Sequence, residues 1–185
     1  SCYPDHIFEV MNKEYKLQDT NNISWQEFGD LMRSLIEDIE SYCNDNNVKL
    51  HAVAPILRNG AIPATAIANK LQILPYLPVY IKYYYNPMHH KQLLPFSKAI
   101  NIDLPDDLNI LVVESNTFSG ASARRAFEII TKEYPEAKLY YATVTQVYHE
   151  NPSDLNMYKK TFVATMTNEN SEADEETINK LNLRR

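Results

Sequence analysis

Glycine, cysteine and tryptophan are scarce in this chain: three, two and one, respectively, in 185 residues. Cys2 and Cys43 show no spacing of a zinc site and are too few for a disulfide framework, so a reducing, cytoplasmic setting is expected. No apolar run approaches the roughly 20 residues of a membrane-spanning helix. The N-terminal stretch lacks the basic-then-apolar order of a signal peptide, and no membrane partner is expected. An excess of positive charge is also missing. The net charge of -6 argues against a general nucleic-acid binder, which presents a basic face, but it leaves room for a small anion held by a few local donors. There is no Gly-Lys-Ser/Thr turn, which argues against a P-loop nucleotide hydrolase. No internal repeat or domain linker breaks the chain.

The sequence does contain an alternation of apolar runs and helical periods. The hydrophobic share of 44% is ordinary for a globular protein, and the length fits one domain with a packed core. Residues 1–22 read as an N-terminal extension. Ser24 and Glu27 form a capping box, with Ile23 and Phe28 in the flanking staple positions. Phe28, Leu31, Met32, Leu35, Ile36, Ile39 and Cys43 then recur at helical spacing.

Val48 to Leu57 is apolar with little alternation, as in a strand covered on both faces. Ala61 to Leu71 reads as a helix with Pro63 in its first turn, and residues 77–83 as a second strand led by Pro78. Tyr84 to Leu108 is long, polar and broken by Pro87, Pro95 and Pro105, the pattern of a functional or mobile loop. A strand over Leu108 to Val113, a helix over Ala121 to Tyr134, and strands over Lys138 to Val147 and Thr161 to Met166 follow. Residues 167–185 form an acidic tail with a short helix at Ser171 to Leu181. The expected fold class is therefore α/β, a mostly parallel twisted sheet with flanking helices.

In such sheets ligands gather beyond the carboxyl ends of the strands. Two strand-to-helix turns stand there, and they hold two of the three glycines. The first is Arg58-Asn59-Gly60. Free backbone N–H groups at the following helix start can hold an anion, and Arg58 adds a fixed positive charge. Taken alone, the same residues also fit a tight turn with a solvated arginine. The second turn is richer: Val113 leads to Glu114, Ser115, Asn116, Thr117, Phe118, Ser119, Gly120, Ala121 and Ser122. Hydroxyls, an amide and a glycine at a helix start make a phosphate cradle with one carboxylate beside it. A Ser/Thr-capped helix after a strand is the plainer alternative.

This second turn resembles the phosphoribosyl pyrophosphate (PRPP) loop of the type I phosphoribosyltransferases. That loop is an apolar strand, two acids, a few variable residues, Thr or Ser, Gly, one residue, and Thr or Ser. Arg58-Asn59-Gly60 resembles the family's pyrophosphate loop, nearest its xanthine-guanine/hypoxanthine branch. Ser24-Trp25-Gln26-Glu27-Phe28 resembles that branch's opening helix, and Ala142-Thr143-Val144 the strand after the PRPP loop.

The resemblance covers about residues 22–166 and implies a fold with a flexible hood loop at residues 84–104. It implies PRPP and Mg²⁺ as ligands, a nitrogenous base or nucleotide as partner, and a homodimer. The 5′-phosphate would lie at Thr117 to Ser122 and the pyrophosphate at Arg58 to Gly60. Glu114 would be the catalytic carboxylate, holding the ribose hydroxyls directly or through the metal. Tyr83, Tyr84 or Tyr85 would open the hood, which contains Tyr84, His89, His90 and Lys91. His89-His90-Lys91 reads either as a solvated loop cluster or as a clamp over pyrophosphate. Gln146, Val147 and Phe162 mark the region of a base pocket, with a core role as the alternative for Phe162.

The chain departs from the family pattern at three points. Ser115 stands where the second acid belongs, which implies altered ribose recognition. Phe118 stands where purine-using members carry a proton-transferring Asp, and Gln146-Val147 where they carry a purine-reading Lys. A catalytically degenerate protein of the same fold, binding PRPP or a nucleotide for regulation or assembly, is the alternative expectation.

Overall fold

The computed structural model describes residues 23–85, 88–147 and 154–167. The N-terminal extension and the tail helix expected at Ser171 to Leu181 lie outside the described residues. Helix α1 (Trp25–Asn46) opens with the expected capping box. The Ser24 hydroxyl accepts from the Glu27 N–H at 3.1 Å, and the Glu27 carboxylate accepts from the Ser24 N–H at 2.8 Å. Ile23 is left 41% exposed, and Trp25 makes the ring contact with Phe28, at 6.0 Å between centroids. Asn47, at φ 52, ends the helix in the left-handed conformation that Asn tolerates.

The other elements are β1 (Ala52–Leu57), α2 (Ala61–Leu71), β2 (Val79–Tyr85), β3 (Met88–Gln92), β4 (Asn109–Thr117), α3 (Ala121–Glu133), β5 (Lys138–Val147) and β6 (Thr161–Thr167). They build a six-stranded sheet in the order β3-β2-β1-β4-β5-β6. Every pairing is parallel except β2–β3, an antiparallel hairpin at the edge.

Strand alternation divides the core between the two faces. Ile110 and Val112 of β4 and Leu139 and Tyr141 of β5 pack with Ala126 and Ile130 of α3. Leu111 and Val113, with Tyr140 and Ala142, pack with Leu35 and Ile39 of α1 and Ile67 of α2. Both faces are covered, which is why these strands read as unbroken apolar runs. Leu35 and Ile39 are wholly buried, and burial of each such side chain stabilises by about 2 kcal/mol.

Three boundaries differ from the sequence expectation. Val48 to His51 precede β1, and the His51 N–H donates to the Asn109 carbonyl at 2.9 Å. The long connection after β2 is only partly irregular, because Met88 to Gln92 pair back on β2, with Tyr83 opposite His90 and Tyr84 opposite His89. Strand β4 continues through Thr117, since Glu114, Asn116 and Thr117 pair with Thr143, Thr145 and Gln146 of β5. Four of the nine residues expected in the second turn, Glu114 to Thr117, are therefore strand.

Strands β1 and β4 are neighbours, yet their connections depart to opposite sides. From β1 the chain runs through α2 to β2; from β4 it runs through α3 to β5. Divergence of two adjacent parallel strands is the topological switch point at which such sheets bind ligands.

Candidate functional site

The turn after β1 is set by close packing. The Leu57–Arg58 peptide is cis. Gly60 donates its N–H to the Ile56 carbonyl at 2.9 Å, and a Cβ there would collide with the backbone oxygens of Val113 and Ile56. Only glycine lets the turn lie this close to β4. Arg58 and Asn59 are exposed at its tip, and α2 begins at Ala61 without a side-chain cap on Gly60. The guanidinium and the start of α2 thus stand together at one edge of the sheet.

The turn after β4 is less open than its sequence suggests. Glu114 is 4% exposed, and one of its carboxylate oxygens accepts from the Ser115 N–H at 3.1 Å. Tyr141 and Tyr158 are packed near it. Burial pushes both phenol pKa values up, and the Glu114 charge pushes further in the same direction. Both tyrosines therefore stay protonated.

Thr117 is buried and already hydrogen-bonded within the sheet. Its side chain is 3% exposed and shares a 2.6 Å hydrogen bond with the Tyr141 hydroxyl, because β4 extends through this residue. Asn116 is similarly engaged, accepting from the Thr145 hydroxyl at 2.7 Å. Further along the turn, Phe118, Ser119, Ala121 and Ser122 are half-buried and Gly120 is buried. Gly120, at φ 76, makes the turn, and α3 starts with no side-chain cap upon it. Ser119 Oγ lies 3.4 Å from the Ala121 nitrogen, and the Arg124 guanidinium donates to the Ser119 carbonyl at 3.2 Å.

The β2–β3 hairpin brings one hood residue to this turn. His90 Nε2 is 3.4 Å from Ser122 Oγ, and its ring lies 4.7 Å from that of Tyr83. Burial lowers the His90 pKa to about 4, and Arg125 and Arg124 add to the effect. His89 stacks on Tyr84 at 5.3 Å and remains exposed, as does Lys91. The solvated reading thus fits His89 and Lys91, whereas His90 is half-buried against the cradle.

The residues expected near a base pocket are not gathered there. Phe162 is 5% exposed and packs edge-on against Tyr42 at 5.4 Å, in the core under α1. Val147 is buried, and Gln146 lies in the ladder between Thr117 and Met166. Instead, a cavity of about 390 Å³ opens beside the first turn, lined in part by Trp25, Arg58, Asn59, Ile62 and Ser115. Trp25, which the sequence marks only as part of the opening helix, is 77% exposed beside this cavity. Among the described residues no cluster of three or more His, Cys, Asp or Glu side chains could hold a metal, and no helix is long and apolar enough to cross a membrane.

No protein-family model matches the chain, and no curated protein matches it by sequence. Solved structures do match. A purine phosphoribosyltransferase from Pyrococcus horikoshii superposes with a TM-score of 0.59 at 18% identity, over 84% of this chain and 96% of that one. A Neisseria gonorrhoeae protein with bound ppGpp gives 0.59 at 15% identity, over 87% and 92%. The xanthine-guanine-hypoxanthine phosphoribosyltransferase of Helicobacter pylori gives 0.57 at 15% identity, over 78% and 89%. The chain has the type I phosphoribosyltransferase fold, as the two turns implied.

Proposed function

We propose that this protein binds PRPP with Mg²⁺ and transfers its phosphoribosyl group to a nitrogenous base. The observation that carries this reading is the pairing of two glycine-bearing turns at the carboxyl ends of β1 and β4, where the sheet diverges. The start of α3 with Ser119 and Ser122 takes the 5′-phosphate, and Arg58 to Gly60 take the pyrophosphate. A base nitrogen attacks the anomeric carbon as the C–O bond to pyrophosphate breaks. Pyrophosphate leaves with the bonding electrons, and the base loses a proton. A homodimer in the cytoplasm goes with this reading.

Magnesium fits the site in a restricted sense. The β4–α3 turn offers one carboxylate, Glu114, so the ion would take most of its oxygen ligands from the diphosphate and from water, the usual habit of Mg²⁺. Bound there, it would neutralise charge on the leaving pyrophosphate.

Two substitutions favour a second reading, a phosphoribosyl-binding protein without turnover. Phe118 stands where a proton-transferring acid would act on a purine, and Ser115 where a second carboxylate would meet the ribose. The ppGpp bound by the structurally similar Neisseria gonorrhoeae protein supports testing guanine nucleotides as ligands. Thermal stabilisation by PRPP with Mg²⁺ and by nucleoside monophosphates, followed by pyrophosphate release with a panel of bases, separates the readings. Turnover with any base supports the transferase. Binding without turnover supports the second reading, and stabilisation by no phosphoribosyl ligand overturns both.

A further inference from the structure

We propose that His90 is a positioning residue for the anion cradle: on binding of a phosphate monoester at Phe118–Ser122 it exchanges Ser122 for a phosphate oxygen and takes up a proton. This rests on the reading of the β4–α3 turn as a phosphate site. The His90–Ser122 contact joins the hairpin to that turn, and at 3.4 Å it is longer than a strong N–O bond. It is therefore readily given up to a charged acceptor. The Tyr83 ring, at 4.7 Å, limits how far the imidazole can swing.

Charge explains why the proton arrives with the ligand. In the empty protein His90 is neutral, with its pKa lowered to about 4, because burial and the positive charges of Arg125 and Arg124 on α3 outweigh the opposing charge of Glu128. His89, its neighbour on β3, contributes weakly in the same direction as the arginines, and β2 faces it with Tyr83. A phosphate dianion at the start of α3 reverses this balance. It offsets both arginines and faces Nε2 with negative charge, so imidazolium becomes the favoured form. The hairpin then serves as a reporter of occupancy at the 5′-phosphate cradle, separate from the pyrophosphate turn at Arg58.

Ribose 5-phosphate, which has no pyrophosphate, is the probe. The His90 ring signal is followed by NMR against pH, with and without saturating probe, using His90→Gln for assignment. Calorimetry in buffers of different ionisation enthalpy counts protons bound. The expected result is a His90 midpoint raised by about two units or more by the probe, enough to make imidazolium a major form near pH 6. A proton uptake in the wild type that is lost in His90→Gln is also expected, with affinity about three- to tenfold weaker at pH 6 in a variant of unchanged melting temperature. Binding with an unmoved His90 signal and equal proton uptake overturns the proposal but leaves the cradle standing. Failure of ribose 5-phosphate to bind the wild-type protein overturns the cradle and the proposal together.

Discussion

The hydroxyls of Thr117 and Tyr141 lie 2.6 Å apart, with both side chains out of solvent. The pair ties the last residue of β4 to the middle of β5 and sets where the PRPP-like turn begins. Replacing either partner by its apolar isostere removes one buried hydrogen bond. Thr117→Val and Tyr141→Phe should each lower stability by about 1 kcal/mol. Chemical denaturation of both single variants and the double variant should show coupling between them. Ribose 5-phosphate affinity should change less than about twofold in Thr117→Val if its hydroxyl only anchors the turn. A tenfold loss would make Thr117 a direct phosphate ligand.

The two turn glycines should respond differently to alanine. At Gly60 the obstacle is space, since the new methyl meets backbone oxygens of Val113 and Ile56 that cannot move independently of the sheet. Gly60→Ala should therefore cost about 3 kcal/mol and disturb both turns. At Gly120 the obstacle is backbone conformation, at φ 76, and the cost should be nearer 1 kcal/mol. Urea melts of the two variants give the order directly.

Removal of the Arg58 charge should separate the two anion positions. Arg58 is exposed on the β1 turn, whereas the proposed 5′-phosphate position is at the start of α3. Arg58→Ala should weaken PRPP binding about tenfold or more while leaving ribose 5-phosphate within about twofold. Equal losses for both ligands would mean that the two phosphate groups are not divided between the turns as proposed. Glu114→Gln removes the carboxylate charge with little change of shape, so it should weaken PRPP binding only when Mg²⁺ is present.

Stability should rise with pH in the acidic range because of His90. Its folded-state pKa, about 4, lies below that of an unfolded histidine, so between these values the unfolded chain binds more protons. The contribution is full above the unfolded pKa, near 6.5, and is lost as pH falls towards 4. Melting temperature should fall more steeply over this window in the wild type than in His90→Gln. Equal slopes would show that the ring is not held neutral.

Much of the fold was legible because its cues are local. The Ser24–Glu27 capping box, the apolar runs of β1, β4 and β5, and the glycines at the two turns each follow from a few adjacent residues. What stayed hidden depends on partners distant in sequence. Nothing near Thr117 marks it as strand, since that follows from its pairing with Gln146 and its bond to Tyr141. The pairing of Met88 to Gln92 with β2 was masked by a polar, proline-interrupted stretch. His90 and His89 look equivalent in the sequence, but strand alternation turns one towards Ser122 and leaves the other exposed on Tyr84. Phe162 is an aromatic in a late strand, and only its contact with Tyr42 identifies it as core.

The pairing of Pro55 with Val113 locks β1 beside β4 just before the first turn, and β4 runs on to Thr117. Inter-strand hydrogen bonding fixes that separation at about 4.8 Å, so the gauge between the two turns belongs to the sheet and not to the turns. Loop sequence can then vary, at Ser115 and Phe118 as elsewhere, without altering the span available to a ligand. A protein built this way can change or lose its chemistry while still measuring the same length of molecule.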